Sequence, residues 1–106
     1  PFEAWMRAVV ARTDGKARRL MWEKFEKGEG VDQKKVLREW TDGYTAVVNG
    51  ADEPYVELGY VDGVEYGRLW EGRCHRIEGG GHAPFWERRE EFGEIYGRFI
   101  RDCEEL

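Results

Sequence analysis

The sequence predicts an α/β fold: N-terminal helices followed by a strand-helix-strand-helix unit with a small parallel sheet. Three observations lead to this. Apolar residues recur at helical spacing through residues 2–40. Two short strand-like runs follow, at 44–49 and 73–78. The chain then closes on an amphipathic helix from Pro84 onward. Strand, crossover, strand, helix is the α/β order.

The elements follow in order. Phe2, Trp5, Met6, Val9 and Val10 share one helical face over residues 2–12. Asp14 is placed to cap a second helix, because its carboxylate can accept an orphan backbone N–H. That helix carries Ala17, Leu20, Met21 and Phe25 on one side and stops at Gly28 and Gly30. Asp32 caps a third, short helix with Val36, Leu37 and Trp40 as its apolar side. Tyr44-Thr45-Ala46-Val47-Val48-Asn49 reads as a buried strand bounded by glycine turns. A loop with Pro54 and a short helix around 55–65 follow. Arg73-Cys74-His75-Arg76-Ile77-Glu78 alternates as a second strand and breaks at Gly79-Gly80-Gly81. In the last helix Phe92, Ile95, Tyr96, Phe99, Ile100 and Cys103 form the apolar stripe. The expected division is a helical segment over 1–42 and a strand-helix unit over 43–106, in one compact body.

Composition narrows the function. A chain of 106 residues makes one small domain. A net charge of -5 with both signs interspersed is no nucleic-acid footprint. No run approaches the length of a membrane span, and the N-terminus lacks the form of a signal peptide, so a cytoplasmic location is favoured. The chain begins with proline rather than methionine, as a processed or excised fragment would. Two cysteines are too few for a disulfide scaffold and read as free thiols. The five tryptophans, Trp5, Trp22, Trp40, Trp70 and Trp86, read as core or cap-packing residues.

His82 follows three glycines at a strand end and precedes Pro84, which suits the first turn of a helix. Ligands of α/β folds lie at the C-terminal ends of strands. Asp52 and Glu53 follow the other strand, and either carboxylate could orient a histidine and stabilise its cation. Taken singly, each loop is also what an ordinary solvated turn looks like. Together they stand in the order acid, then histidine, of a nucleophile-His-acid triad.

Val47-Val48-Asn49-Gly50-Ala51-Asp52-Glu53-Pro54-Tyr55-Val56 resembles the acid loop of the α/β-hydrolases. Ile77-Glu78-Gly79-Gly80-Gly81-His82-Ala83-Pro84-Phe85-Trp86-Glu87 resembles their histidine loop. The helix with Glu91-Phe92 and Phe99-Ile100 is similar to the last helix of that family, and residues 1–40 resemble the end of its helical cap. The resemblance implies a partial α/β-hydrolase fold, covering its C-terminal portion. It also implies His82 as the catalytic histidine and Glu53 as the acid, with Asp52 as the alternative.

One departure bears on activity. The sequence contains no serine, and no nucleophile elbow is present. Cys74 and Cys103 are the thiols that could replace it, and neither matches an elbow. The family's oxyanion hole lies outside this part of the fold, and such donors supply a large share of the rate. The expectation is therefore a chain that supplies histidine and acid but is inactive alone. It would act on a small ester-like substrate only when complemented by an N-terminal hydrolase half. The alternative is a non-catalytic remnant that serves as an interaction or oligomerisation module. An open two-stranded sheet predicts self-association or docking to that half. No cofactor and no metal are expected: Cys74, His75, His82 and Cys103 lack metal-ligand spacing.

Overall fold

The computed structural model describes residues 2–106. It divides into two compact units, Pro1–Val31 and Asp32–Leu106. The boundary precedes the third helix, which the sequence reading grouped with the cap-like segment.

In the first unit, α1 spans Ala4–Arg12 and α2 spans Lys16–Glu26. The Thr13 hydroxyl donates to the Val9 carbonyl as α1 ends. Asp14 Oδ1 accepts the Lys16 N–H, so it serves the start of α2 from one position before its N-cap, Gly15. Gly28 alone stops α2, with φ 71°, while Gly28 N–H donates to Phe25 O and Glu29 N–H to Lys24 O. That bond pair is the Schellman motif, which needs a left-handed residue at its hinge.

In the second unit, α3 spans Gln33–Glu39, and Asp32 caps it by accepting the Lys35 N–H at 3.1 Å. Its end is tied to a distant segment: Gly67 N–H donates to Leu37 O at 2.8 Å. A side chain at 67 would collide with the carbonyl oxygens of Arg38 and Trp40. These bonds place α3 with the strands.

The sheet has two parallel strands, β1 (Val48–Gly50) and β2 (His75–Ile77), with Val48 opposite His75 and Gly50 opposite Ile77. Pairing begins earlier, at an isolated parallel bridge between Thr45 and Leu69. A 3₁₀ turn at Trp70–Gly72 interrupts the ladder, with Glu71 at φ 54° and Gly72 at φ 67°. The strands are therefore shorter than their apolar runs predict. Residues 44–49 are half-buried rather than buried. The crossover between the strands carries α4, Leu58–Asp62.

The final helix is two helices, α5 (Pro84–Glu87) and α6 (Arg89–Glu104). Arg88, at φ -133° and ψ 62°, breaks the ladder between them. Apolar periodicity reads straight across this break because Phe85 and Phe92 still meet edge to face, 6.2 Å apart.

The core centres on Trp70, 1% exposed, and Ile77, 4% exposed. Trp70 stacks on the buried His75 at 4.9 Å, meets Phe99 of α6 edge-on at 5.5 Å, and donates its indole N–H to Asp102 at 2.8 Å. These contacts hold α6 to the sheet. The expectation for the other tryptophans is corrected. Trp5, Trp22, Trp40 and Trp86 are 45–58% exposed, so they are not core residues here. No helix among the described residues is long and apolar enough to cross a membrane.

Candidate functional site

The strands are parallel, so the loops after β1 and β2 leave the sheet at the same end. Gly50, the last residue of β1, is buried against the second loop. A Cβ there would overlap the carbonyl oxygens of Gly80 and Gly81. Glycine at 50 thus lets the two loops touch backbone to backbone. Two bonds stitch them together: Ala51 N–H to Ile77 O and Asp52 N–H to Gly80 O, each 2.9 Å. Gly79, at φ 74°, turns the second loop beneath the Arg88 guanidinium.

This clamp brings together two of the three residues singled out from the sequence. His82 Nδ1 lies 2.8 Å from Glu53 Oε2, across 29 positions of chain. The Glu53 side chain is only 3% exposed, whereas that of His82 is 61% exposed. The other Glu53 oxygen, Oε1, accepts the N–H groups of Tyr55 at 2.6 Å and Val56 at 3.2 Å. Asp52 is exposed, and the carboxylate at the histidine belongs to Glu53. Of the two adjacent acids, the turn directs Glu53 inward to the histidine.

Burial pushes the Glu53 carboxyl up. The N–H of Tyr55, the His82 ring and the N–H of Val56 together outweigh it, and the net displacement is downward. Glu53 is therefore ionised at neutral pH and only accepts hydrogen bonds. Its partner Nδ1 must carry the proton, and in the neutral ring Nε2 keeps a lone pair. A lone pair at Nε2, on a ring oriented by a carboxylate at Nδ1, can accept a proton from a hydroxyl placed against it.

Two contributors beside the dyad were not legible in the sequence, nor was the burial of a second histidine elsewhere. The Tyr55 ring meets His82 edge to face at 5.1 Å. Glu87 accepts the N–H groups of Gly81 and Ala83, on either side of His82. His75 is buried on Trp70, with Nε2 3.3 Å from Glu71 and Nδ1 without a partner. A carboxylate in the first turn after a proline start was the available signal for Glu87.

The remaining candidates do not converge. Cys74 and Cys103 are free and half-buried, and burial raises the Cys74 thiol above its ordinary range, away from a reactive thiolate. Among the described residues no group of three or more His, Cys, Asp or Glu is placed to hold a metal ion. Two surface hollows, of about 370 and 410 Å³, lie beside Tyr60 and along α6. Neither is lined by His82 or Glu53.

Parallel strands whose end loops join an acid to a histidine, with the closing helix behind them, match over the whole chain the C-terminal portion of an α/β-hydrolase. The chain's particular likeness is to the N-acyl homoserine lactonase AidH. A serine-to-glycine variant of AidH with N-hexanoyl homoserine lactone matches with 53% identity and a TM-score of 0.92. AidH with N-butanoyl homoserine matches equally, at 53% and 0.92. A glutamate-to-glycine variant with N-hexanoyl homoserine gives 52% and 0.92. The match covers 100% of this chain but 38–39% of the AidH chains. No protein-family model matches the chain, and no curated protein matches it.

Proposed function

We propose that this chain supplies the histidine and the acid of a hydrolytic triad whose nucleophile and oxyanion donors come from an N-terminal hydrolase half, and that the complete site opens lactone rings of the N-acyl homoserine lactone class. The 2.8 Å contact between His82 Nδ1 and the buried Glu53 is the observation that carries this reading. The identity to AidH across the whole chain supports the substrate class.

The chemistry runs through Nε2 of His82. Nε2 takes the proton of the nucleophile as its oxygen attacks the lactone carbonyl carbon. The imidazolium that forms is stabilised by Glu53. It returns the proton to the ring oxygen as the carbon–oxygen bond breaks. Water then gives a proton to the same nitrogen as its oxygen attacks the acyl carbon, and that proton passes to the nucleophile's oxygen as its bond to the acyl carbon breaks and the opened acid leaves. By itself the chain is expected to be inactive, because no serine is present to be activated.

The test is a chimera in which this chain replaces the matching segment of AidH. Ring opening is followed by release of the titratable carboxylic acid. The expected result is an active chimera in which His82→Ala loses roughly 10²–10⁴-fold in turnover. An inactive but folded chimera, or an indifferent His82→Ala, would defeat the proposal.

A second reading is association without catalysis, with a further copy of this chain or with the N-terminal half. The two-stranded sheet and the exposed Phe25, Trp22, Met21 and Phe85 favour it.

A further inference from the structure

We infer that Glu87 is the positioning residue for His82, holding the histidine loop so that Nδ1 stays on Glu53; this rests on the proposed triad. The observation is a bracket. Glu87 Oε1 accepts the Gly81 N–H at 3.1 Å and the Ala83 N–H at 2.9 Å, the N–H groups of the residues before and after His82.

The loop needs such a device. Three consecutive glycines, Gly79 to Gly81, carry no side chains that could anchor it and have the widest backbone freedom of any residue. Upstream, the Asp52 and Gly80 N–H groups tie the loop at the Gly80 and Ile77 carbonyls, so the pinning there stops at Gly80. From Gly81 to Ala83, the Ala83 carbonyl is held by the Trp86 and Glu87 N–H groups of α5, and the two bonds to Glu87 Oε1 hold the N–H groups before and after His82. His82 is 61% exposed, so packing does little to hold the ring in place.

Glu87 is itself held. It sits in the first turn of α5, where its own N–H donates to Ala83 O at 2.9 Å and Pro84 presets the helical φ. A carboxylate reaching back to orphan N–H groups at a helix start is the favourable polarity there. Gly81 is matched to it as well: a Cβ at 81 would stand 3.0 Å from Glu87 Oε2. The acid loop and the histidine loop are thus braced alike. Glu53 Oε1 gathers two N–H groups of its own loop, Glu87 Oε1 gathers two of the other, and the dyad spans the gap between them.

The experiment reads the His82 Nδ1 proton by NMR at low temperature in the 106-residue chain. His75, buried on Trp70, serves as an internal reference for the fold. In Glu87→Ala the Nδ1 proton is expected to exchange with water about tenfold faster or more, with the His75 signals unmoved. Glu87→Gln, whose amide oxygen can still accept both N–H groups, is expected to restore the slow exchange. If Glu87→Ala does not fold, Glu87→Asp serves instead: it keeps the charge, is too short to reach both groups, and is expected to speed exchange. Wild-type exchange in Glu87→Ala or Glu87→Asp overturns the inference, as does a Glu87→Gln variant no better than Glu87→Ala. Glu53→Gln separates the two readings. If it alone speeds exchange, the dyad stands and the role of Glu87 falls. If it leaves exchange unchanged, the dyad falls and takes this inference with it.

Discussion

Replacing Gly50 by alanine should both destabilise the chain and uncouple the dyad. The added methyl would lie 2.2 Å from the carbonyl oxygens of Gly80 and Gly81. Ordinary carbon–oxygen contact begins near 3.3 Å, so the loops must separate by roughly 1 Å. Both obstacles are backbone atoms and cannot swing aside. The first bonds to stretch are Ala51 N–H to Ile77 O and Asp52 N–H to Gly80 O, each 2.9 Å. At about 1 kcal/mol each, with strain added, the loss should be about 2–4 kcal/mol. The same separation takes Nδ1 of His82 out of reach of Glu53. In a complemented enzyme, a misplacement of about 1 Å costs on the order of 10²-fold in turnover. Urea unfolding gives the stability, and the His82 Nδ1 proton reports the contact. Gly93→Ala is the control, because that glycine lies inside α6 with nothing within 4 Å of its Cβ position. It should stabilise by about 0.5–1 kcal/mol through helix propensity alone. A Gly50→Ala chain with wild-type stability and an unaltered Nδ1 signal would refute the loop clamp.

Other outcomes follow from the same contacts. Trp70→Ala should cost about 3–5 kcal/mol in urea unfolding, since it empties the core and strips Asp102 of its indole partner. A carbon-detected titration should find the Glu53 carboxyl ionising below the usual glutamate range. Its folded value is depressed, so its stabilising contribution is complete above the ordinary glutamate value. That contribution is lost as pH falls through the depressed one, and Glu53→Gln should flatten that limb of the acid unfolding curve. Light scattering after size exclusion at micromolar concentration should show a mass above that of one chain, and a well-folded monomer would count against the association reading.

The motifs were legible because they are local. Gly79-Gly80-Gly81-His82 and Asn49-Gly50-Ala51-Asp52-Glu53 announce turns after strand-like runs, and their order follows from chain direction. Helix caps behave similarly: Asp32 and Gly28 act on groups within a few residues. Boundaries were less legible. The break at Arg88 is invisible to apolar periodicity, because Phe85 and Phe92 keep contact across it. The 3₁₀ turn at Trp70–Gly72 cuts the pairing through a left-handed Glu71, a conformation that composition does not mark.

Sequence alone determined the class of fold, a candidate histidine, a pair of candidate acids and the lack of any serine, all properties of residue type and short-range order. Tertiary structure decided that Glu53 rather than Asp52 meets His82, since that depends on which side chain a turn buries against a loop 29 positions away. It also decided that Trp70 is the buried tryptophan and that Glu87 braces the loop bearing His82. Such pairings arise only when two strands lie parallel and deliver their ends to one place, a relation between segments that neither segment encodes by itself.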